Sequence, residues 1–184
     1  MTQLGDRTCL ITGASSGLGA HFARTLSGAG ARVVLAARRL DRVQALAEEI
    51  RATGGEALPV ALNVSDEKSV VSAFDAAEQA FGIVDTIIAN AGVSAPGRST
   101  EISAESMRSV LDTNVMGVLL TAREGARRMI VAGSRDNGRG RIVLIGSITA
   151  EMTGQGETIY SASKAAVAHM GRNLAKEWAR LGVN

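Results

Sequence analysis

The sequence predicts an α/β fold in which a doubly wound parallel sheet carries helices on both faces. Short aliphatic segments alternate with segments of helical periodicity along all 184 residues, as is typical of parallel sheets. Apolar residues make up 46% of the chain and aromatic residues only 3%, so the core must be built from small aliphatic side chains. No linker or repeat divides the chain, and its length suits one domain over residues 1–184.

Five segments are predicted as strands because each is short, aliphatic and continuous rather than alternating. This pattern is typical of strands that are buried on both faces of a sheet. The predicted strands span 8–11, 32–36, 57–62, 86–89 and 141–145.

Helices are predicted where apolar residues recur at helical spacing. Two long helices are expected over 103–131 and 158–181, and residues 134–140 are expected to form a polar surface loop. Between the second and third strands, four apolar residues share one helix face: Val43, Leu46, Ala47 and Ile50.

The helix after the third strand has a predicted start as well as a predicted face. Ser65 is the expected N-cap, because Asp66 and Glu67 then place negative charge in the first turn. The apolar stripe of this helix consists of Val70, Phe74, Ala77 and Phe81.

The composition argues against several classes of protein. The single cysteine, Cys9, falls in the first strand, which predicts a buried and inert thiol rather than a disulfide. The first residues lack a signal-peptide pattern and no apolar run approaches the ~18 residues that span a membrane, so a cytoplasmic protein is expected. The net charge of +2 and the scarcity of aromatics argue against nucleic-acid binding. His21 and His169 lack partners at metal spacing, so no metal is expected.

A glycine-rich segment follows the first strand and precedes a helical pattern. Glycines at this place allow a tight turn and a close approach of backbone to phosphate, and the N-terminus of the next helix attracts the negative charge. The pattern T-G-x-x-x-G-x-G at residues 12–19 therefore predicts a Rossmann-like dinucleotide site; the alternative is a glycine-rich turn without a ligand. The candidate residues are Gly13, Ser15, Ser16, Gly17, Leu18 and Gly19.

Four further motifs follow in order: Asn90-Ala91-Gly92, Asn114, Ser147, and Tyr160-Ser161-Ala162-Ser163-Lys164. With the glycine loop, they make the chain resemble the classical short-chain dehydrogenase/reductase family along its whole length. Within that family it is most similar to 3-oxoacyl-carrier-protein reductases and broad carbonyl reductases. The resemblance implies that Asn90, Ala91 and Gly92 stabilise the central sheet and line the cofactor site.

The end of the second strand bears on the choice between NAD and NADP. A site that prefers NAD usually carries an acid there, which accepts a hydrogen bond from the ribose 2′-hydroxyl. This chain has Ala37 followed by Arg38 and Arg39, and guanidinium groups bind a 2′-phosphate, so NADP(H) is the predicted cofactor. The alternative is that both arginines merely begin a solvated helix. Asn63 and Val64 are expected to contact the adenine, with the Asn63 amide oxygen as the acceptor.

Tyr160 and Lys164 are spaced at i and i+4, so on a helix they project from the same face. An ammonium at ~4 Å favours the phenolate by about 4 kcal/mol at an effective dielectric constant of ~20. Taken alone, the pair is better explained as a surface helix pair, and the resemblance is what implies catalysis.

In the family, the tyrosine donates a proton to a carbonyl oxygen as hydride arrives, and the lysine assists it and binds the ribose. Carried over, these roles fall to Tyr160 and Lys164. Ser147 would bond the same carbonyl oxygen, and Asn114 would hold a water that links Lys164 to solvent. The predicted function is reduction of a small-molecule ketone, or oxidation of the alcohol. The alternative is a catalytically silent dinucleotide-binding module.

Residues 180–184 are expected to begin a sixth strand. Family members continue with further strands and a substrate lid, so a sheet without its C-terminal strands is expected here. A homodimer is predicted through the two long helices, with a tetramer accessible to a longer chain. The residues expected at the dimer interface are Val110, Val118, Ala122, Ala126, Val167, Met170, Leu174 and Trp178.

Overall fold

A computed structural model describes residues 4–184, and the first three residues of the predicted domain lie outside the described part. Five parallel strands form one sheet in the order β3-β2-β1-β4-β5. The chain therefore winds outward from β1 in both directions, which confirms the doubly wound fold. The strands are β1 Thr8–Thr12, β2 Arg32–Ala37, β3 Ala57–Ala61, β4 Thr86–Ala89 and β5 Arg141–Leu144.

Residues 183 and 184 lie beside the start of β5. Val183 forms a single parallel bridge with Gly140. Next to it, the Asn184 N–H donates to Gly140 O at 3.0 Å, and the Ile142 N–H donates to Asn184 O at 2.7 Å. The chain thus adds to the sheet beyond β5, where the sixth strand is predicted.

The described residues form seven α-helices, five of which pack on the two faces of the sheet. Helices α1 and α2 cover one face with their alanines and aliphatic residues, against Cys9, Ile11 and Val33. Helices α3, α5 and α7 cover the other face. The helices are α1 Gly17–Gly28, α2 Leu40–Ala52, α3 Glu67–Phe81, α4 Ala104–Leu111, α5 Gly117–Val131, α6 Ser134–Asn137 and α7 Thr158–Trp178.

Cys9 lies in β1 with no exposed surface, as predicted. Burial raises the pKa of this thiol to about 11. The thiolate is the reactive form of cysteine, so this shift agrees with an inert Cys9, which stays a prediction, whereas its predicted burial is confirmed.

The predicted helix over 103–131 is interrupted. A π-helical segment, Asp112–Met116, separates α4 from α5. It contains Asn114, which is fully buried and bonds through its amide to both backbone groups of Val93. Periodicity cannot reveal one extra residue in a helical turn, and such insertions often mark functional sites.

The start of α3 is one residue later than predicted. Asp66 is the N-cap, and its carboxylate accepts from the Lys68 N–H at 3.0 Å. The Ser65 hydroxyl instead donates to Asn63 Oδ1 at 2.8 Å. The prediction of Ser65 as the cap is wrong because the neighbouring asparagine engages its hydroxyl.

Residues 134–140 are more than a surface loop. Ser134 begins the short helix α6 and is buried, and its hydroxyl donates to Leu181 O at 2.6 Å. Arg139 forms ion pairs with Asp6 and with Asp85, the latter at 2.8 Å. The polar residues of this segment therefore tie together the amino-terminal ends of the strands.

Five of the eight residues predicted for a dimer interface are buried within their own chain. Val110, Val118, Ala122, Ala126 and Val167 are at most 3% exposed, so packing inside the chain explains them and their assignment to an interface is wrong. Met170, Leu174 and Trp178 are only partly buried, and for them the interface stays a prediction.

An ion-pair cluster joins α3 to α5. Arg128 lies over the Phe74 ring and pairs with Asp75, Glu78 and Glu124, each at 2.7 Å. Its side chain is 11% exposed and that of Glu124 is 7% exposed. Hydrogen bonds from Arg127 and Arg128 lower the pKa of Glu124 against the opposing effect of burial.

Replacing Arg128 with leucine should lower the free energy of unfolding by about 3 kcal/mol, because it removes a largely buried guanidinium from the buried Glu124 and from Glu78, which is 23% exposed. The matched control is Arg127→Leu, since Arg127 pairs with Glu124 from a side chain that is 60% exposed. That change should cost less than ~1 kcal/mol. Urea unfolding of both variants measures the difference, and equal effects would contradict the role given to Arg128.

Candidate active site

Two adjoining cavities lie at the carboxyl ends of the strands, where chain order reverses between β1 and β4. The glycine-loop cavity, of about 610 Å³, is lined by residues of the segments 13–18, 37–39 and 62–64. The tyrosine cavity, of about 450 Å³, contains Tyr160 and Lys164 in its wall. Leu18 and residues 90, 92 and 93 line both cavities, so one elongated ligand could occupy the two. Crevices at this point of a doubly wound sheet are the usual place for a ligand.

The glycine loop has a backbone that side chains would prevent. Gly13 and Gly17 have φ angles of +68° and +55°, which L-residues rarely adopt. A Cβ atom on Gly19 would lie 2.4 Å from Gly13 O and 2.7 Å from Asn90 Nδ2. The loop therefore packs tightly against the start of α1, and Ser16 at the N-cap makes no side-chain capping bond there. Such a cradle of backbone N–H groups can hold a pyrophosphate.

Asn90 connects the end of β4 to the end of β1. Its Nδ2 donates to Thr12 O at 2.9 Å, while the Asn90 and Ala91 N–H groups both donate to Thr12 Oγ1 at 3.0 Å. Sequence analysis did not select Thr12. The sequence signal that could have identified Thr12 is a threonine at the last position of a strand that is followed directly by a glycine loop.

Arg38 and Arg39 both line the glycine-loop cavity, and Arg39 Nη2 donates to the hydroxyls of Ser15 and Ser16 at 2.9 and 3.1 Å. The wall of this cavity contains no carboxylate side chain in the described part of the chain. Both arginines thus precede α2 and line the cavity, and Arg39 also contacts the glycine loop. Their positive charge suits a phosphate group.

Asn63 and Val64 line the same cavity. The Asn63 amide oxygen already accepts from the hydroxyl and the N–H of Ser65, at 2.8 and 3.3 Å. A local turn thus uses this oxygen, and its predicted contact with an adenine amino group, which stays a prediction, would replace one of the two bonds to Ser65.

Tyr160 and Lys164 lie one turn apart at the start of α7, and Lys164 Nζ is 5.8 Å from the centre of the Tyr160 ring. Lys164 is 4% exposed and donates to Ile145 O at 2.8 Å. Burial lowers its pKa, since desolvation disfavours the ammonium form. The two predicted residues are brought together in one cavity wall.

Asn114 reaches Tyr160 through Ser163. Asn114 Nδ2 donates to Ser163 Oγ at 3.0 Å, and the Ser163 hydroxyl donates to Tyr160 O at 2.6 Å. Ser163 has no exposed surface and was missed by sequence analysis. The sequence signal that could have identified Ser163 is a polar residue directly before Lys164, on the buried face of the helix.

Ser147 follows β5 but is not among the residues that line the tyrosine cavity, although Ile145 and Gly146 are. Its hydroxyl accepts from the Thr149 N–H at 3.2 Å and lies 2.9 Å from Thr149 Oγ1. These bonds cap the short 3₁₀ helix Ile148–Ala150. Of the four predicted catalytic residues, only Tyr160 and Lys164 line this cavity in the described part of the chain. Asn114 is connected to α7 through Ser163, whereas Ser147 bonds locally to Thr149.

His21 and His169 are exposed on α1 and α7. Within residues 4–184, no three His, Cys, Asp or Glu side chains are grouped as metal ligands. No helix of that part is both long and apolar enough to cross a membrane.

Comparison with known proteins identifies the family. Residues 7–184 match the family model for short chain dehydrogenase. The cis-4-hydroxycyclohexanecarboxylate dehydrogenase of Sinomonas cyclohexanicum is 36% identical over 181 residues, which cover 97% of this chain and 70% of the relative.

Solved structures agree with this match. A short-chain type dehydrogenase/reductase from Mycobacterium marinum superposes with a TM-score of 0.93 at 34% identity, covering 100% of this chain and 71% of that one. A gluconate 5-dehydrogenase from Burkholderia cenocepacia, in complex with NADP and tartrate, gives 0.91 at 30% identity, covering 100% and 70%. The chain belongs to the short chain dehydrogenase family and is an oxidoreductase of that type.

Proposed function

We propose that this protein is an NADP(H)-dependent oxidoreductase that reduces a ketone, or oxidises the secondary alcohol, with Tyr160 as proton donor. The observation that carries the proposal is the common wall of Tyr160 and buried Lys164, in a cavity that adjoins the glycine loop. Residues 1–184 then act as one dinucleotide-binding domain.

The residues fit a dinucleotide. The space that Gly19 leaves beside Gly13 O and Asn90 is the close approach that a pyrophosphate cradle requires. Gly13, Ser15, Ser16, Gly17, Leu18 and Gly19 would hold the phosphates. Asn63 and Val64 would flank the adenine from the cavity wall, and Asn90, Ala91 and Gly92 would line the path toward the nicotinamide. When bound, the cofactor supplies or accepts the hydride at the carbonyl carbon.

In the reducing direction, Tyr160 gives its phenolic proton to the substrate oxygen. The charge left on the phenolate would be stabilised by the Lys164 ammonium, whose Nζ lies 5.8 Å from the centre of the Tyr160 ring and is shielded from solvent. Asn114, with Ser163, sets the backbone of the turn that carries Tyr160, and Asn114 is proposed to hold the water that resupplies Lys164. Ser147 would exchange its bond with Thr149 for one to the substrate oxygen.

Arg38 and Arg39 support NADP over NAD, because both line a wall that has no carboxylate among the described residues. A carboxylate there would repel a 2′-phosphate, whereas guanidinium groups attract it. The solved gluconate 5-dehydrogenase holds NADP. Similarity to 3-oxoacyl-carrier-protein reductases and a cytoplasmic location remain part of the proposal.

A homodimer is also proposed, on residues other than those first expected. Helix α7 exposes the small residues Ala162, Ala165 and Ala166, and the nearby turns expose Leu111 and Met116. Small and apolar residues on exposed helix faces allow two copies to pack closely.

Tyr160→Phe should lower kcat for ketone reduction by at least ~10²-fold, because the proton donor is lost. NADPH affinity, measured by fluorescence titration, should change little. Unchanged turnover would contradict the role of Tyr160. A wild-type protein that binds NADPH but reduces no ketone would favour the silent binding module.

Ala37→Asp combined with Arg38→Gln should move the ratio of NADPH to NADH affinity toward NADH by roughly ten- to a hundredfold, since a charge-assisted contact is lost. Arg42→Gln serves as the control, because Arg42 is exposed on α2 and does not line the cavity. Calorimetric titration measures both ratios. The same ratio in both variants would remove Arg38 from the phosphate site.

Light scattering should give the mass of two chains for the 184-residue protein. Ala166→Arg on the exposed face of α7 should shift it to one chain, because a charged side chain blocks close packing. Ala80→Arg, on the exposed face of α3, is the control and should leave the dimer intact. A wild-type monomer, or a wild-type tetramer, contradicts the proposal.

A further inference from the structure

We propose that Glu157 selects substrates by charge in the tyrosine cavity. It would favour ketones that carry a hydroxyl or ammonium donor and disfavour ketones that carry a carboxylate. The inference rests on the proposed function, since it names the substrate class of the same cavity.

Glu157 lines the cavity together with Tyr160, three residues later. Its backbone occupies the N-cap position of α7, where its carbonyl oxygen accepts from the Ser161 N–H at 2.8 Å. The carboxyl group lies over Gly154, with Oε2 3.6 Å from the position of a Cβ atom on that glycine. The backbone of Glu157 is therefore held by the helix, and the residue belongs to the same cavity wall as the proton donor.

The carboxylate is available to a ligand. Across residues 4–184, Glu157 takes part in none of the ion pairs, which involve other carboxylates. Glu157 is also only partly exposed, so its charge is not fully screened by solvent.

The rest of the cavity wall offers little to an anionic substrate. Lys164 is the only cationic side chain that lines it in the described part of the chain. Its Nζ already donates to Ile145 O and is assigned to Tyr160. Much of the remaining wall is apolar, including Leu18, Val93 and Pro96. A carboxylate on the substrate would thus meet Glu157 without a free arginine to offset it.

The size of the effect follows from Coulomb's law. Two like charges about 6 Å apart, at an effective dielectric constant of about 40 for a cavity open to water, repel enough to reduce binding roughly tenfold. A substrate ammonium at the same place should bind more tightly by a similar factor. The two effects together should make Glu157 favour the ammonium ketone over the carboxylate ketone by roughly a hundredfold in binding.

The test uses three ketones of one shape: 4-hydroxycyclohexanone, 4-(dimethylamino)cyclohexanone and 4-oxocyclohexanecarboxylate. Their kcat/KM values are measured with NADPH for the wild-type protein and for Glu157→Gln. We expect the ratio of the amine to the carboxylate to fall at least tenfold in Glu157→Gln. The matched control is Glu177→Gln, because Glu177 is exposed at the other end of α7, and its ratio should equal that of the wild type.

A second measurement needs no variant. The wild-type ratio of amine to carboxylate should shrink as salt is raised from about 0.05 M to about 1 M, because the Debye length falls to ~3 Å. If the protein turns over these ketones but neither Glu157→Gln nor salt changes the ratio of amine to carboxylate, this inference is overturned and the proposed function stands. Wild-type protein that reduces none of the three ketones, nor any other ketone, overturns the proposed function and the inference together.

Discussion

The three hydrogen bonds between Thr12 and the Asn90–Ala91 segment hold the site together. They join the ends of β1 and β4, the two strands between which the chain reverses its winding. The glycine loop leaves one of these strand ends, and residues 90–93 leave the other. Both cavities open at this junction, so the relative placement of cofactor and substrate depends on a few bonds between two strand ends.

A second set of contacts positions Tyr160 and Lys164 at that junction. The π-helical segment places Asn114 beside Val93, and the same amide reaches α7 through Ser163. A hydrogen bond from Lys164 Nζ to Ile145 O, directly after β5, holds the lysine in place. Tyr160 is thus positioned through its own backbone oxygen and through buried polar groups, one of which is Ser163 of the same motif. Buried amides with all their bonds satisfied give a single arrangement, since any other leaves a polar group without a partner.

Much of this could be predicted from the sequence, and the failures share a cause. The five strands, the glycine loop and the pairing of Tyr160 with Lys164 follow from local pattern, because each depends on residues within one turn or strand. The π-helical segment, the cap at Asp66 and the bonds of Ser147 depend on which partner takes a polar side chain. The stripe that includes Val118 and Ala122 shows the same limit: apolar periodicity identifies a buried face but does not say whether the sheet or another chain covers it.

The ion pairs of Arg139 with Asp6 and Asp85 lie at the amino-terminal ends of the strands, whereas the cavities lie at the carboxyl ends. Substitutions in these ion pairs change groups that line neither the glycine-loop cavity nor the tyrosine cavity. The loops at the carboxyl ends of the strands can differ in sequence and length without removing these pairs, so binding and this part of the folding energy are carried by separate residues.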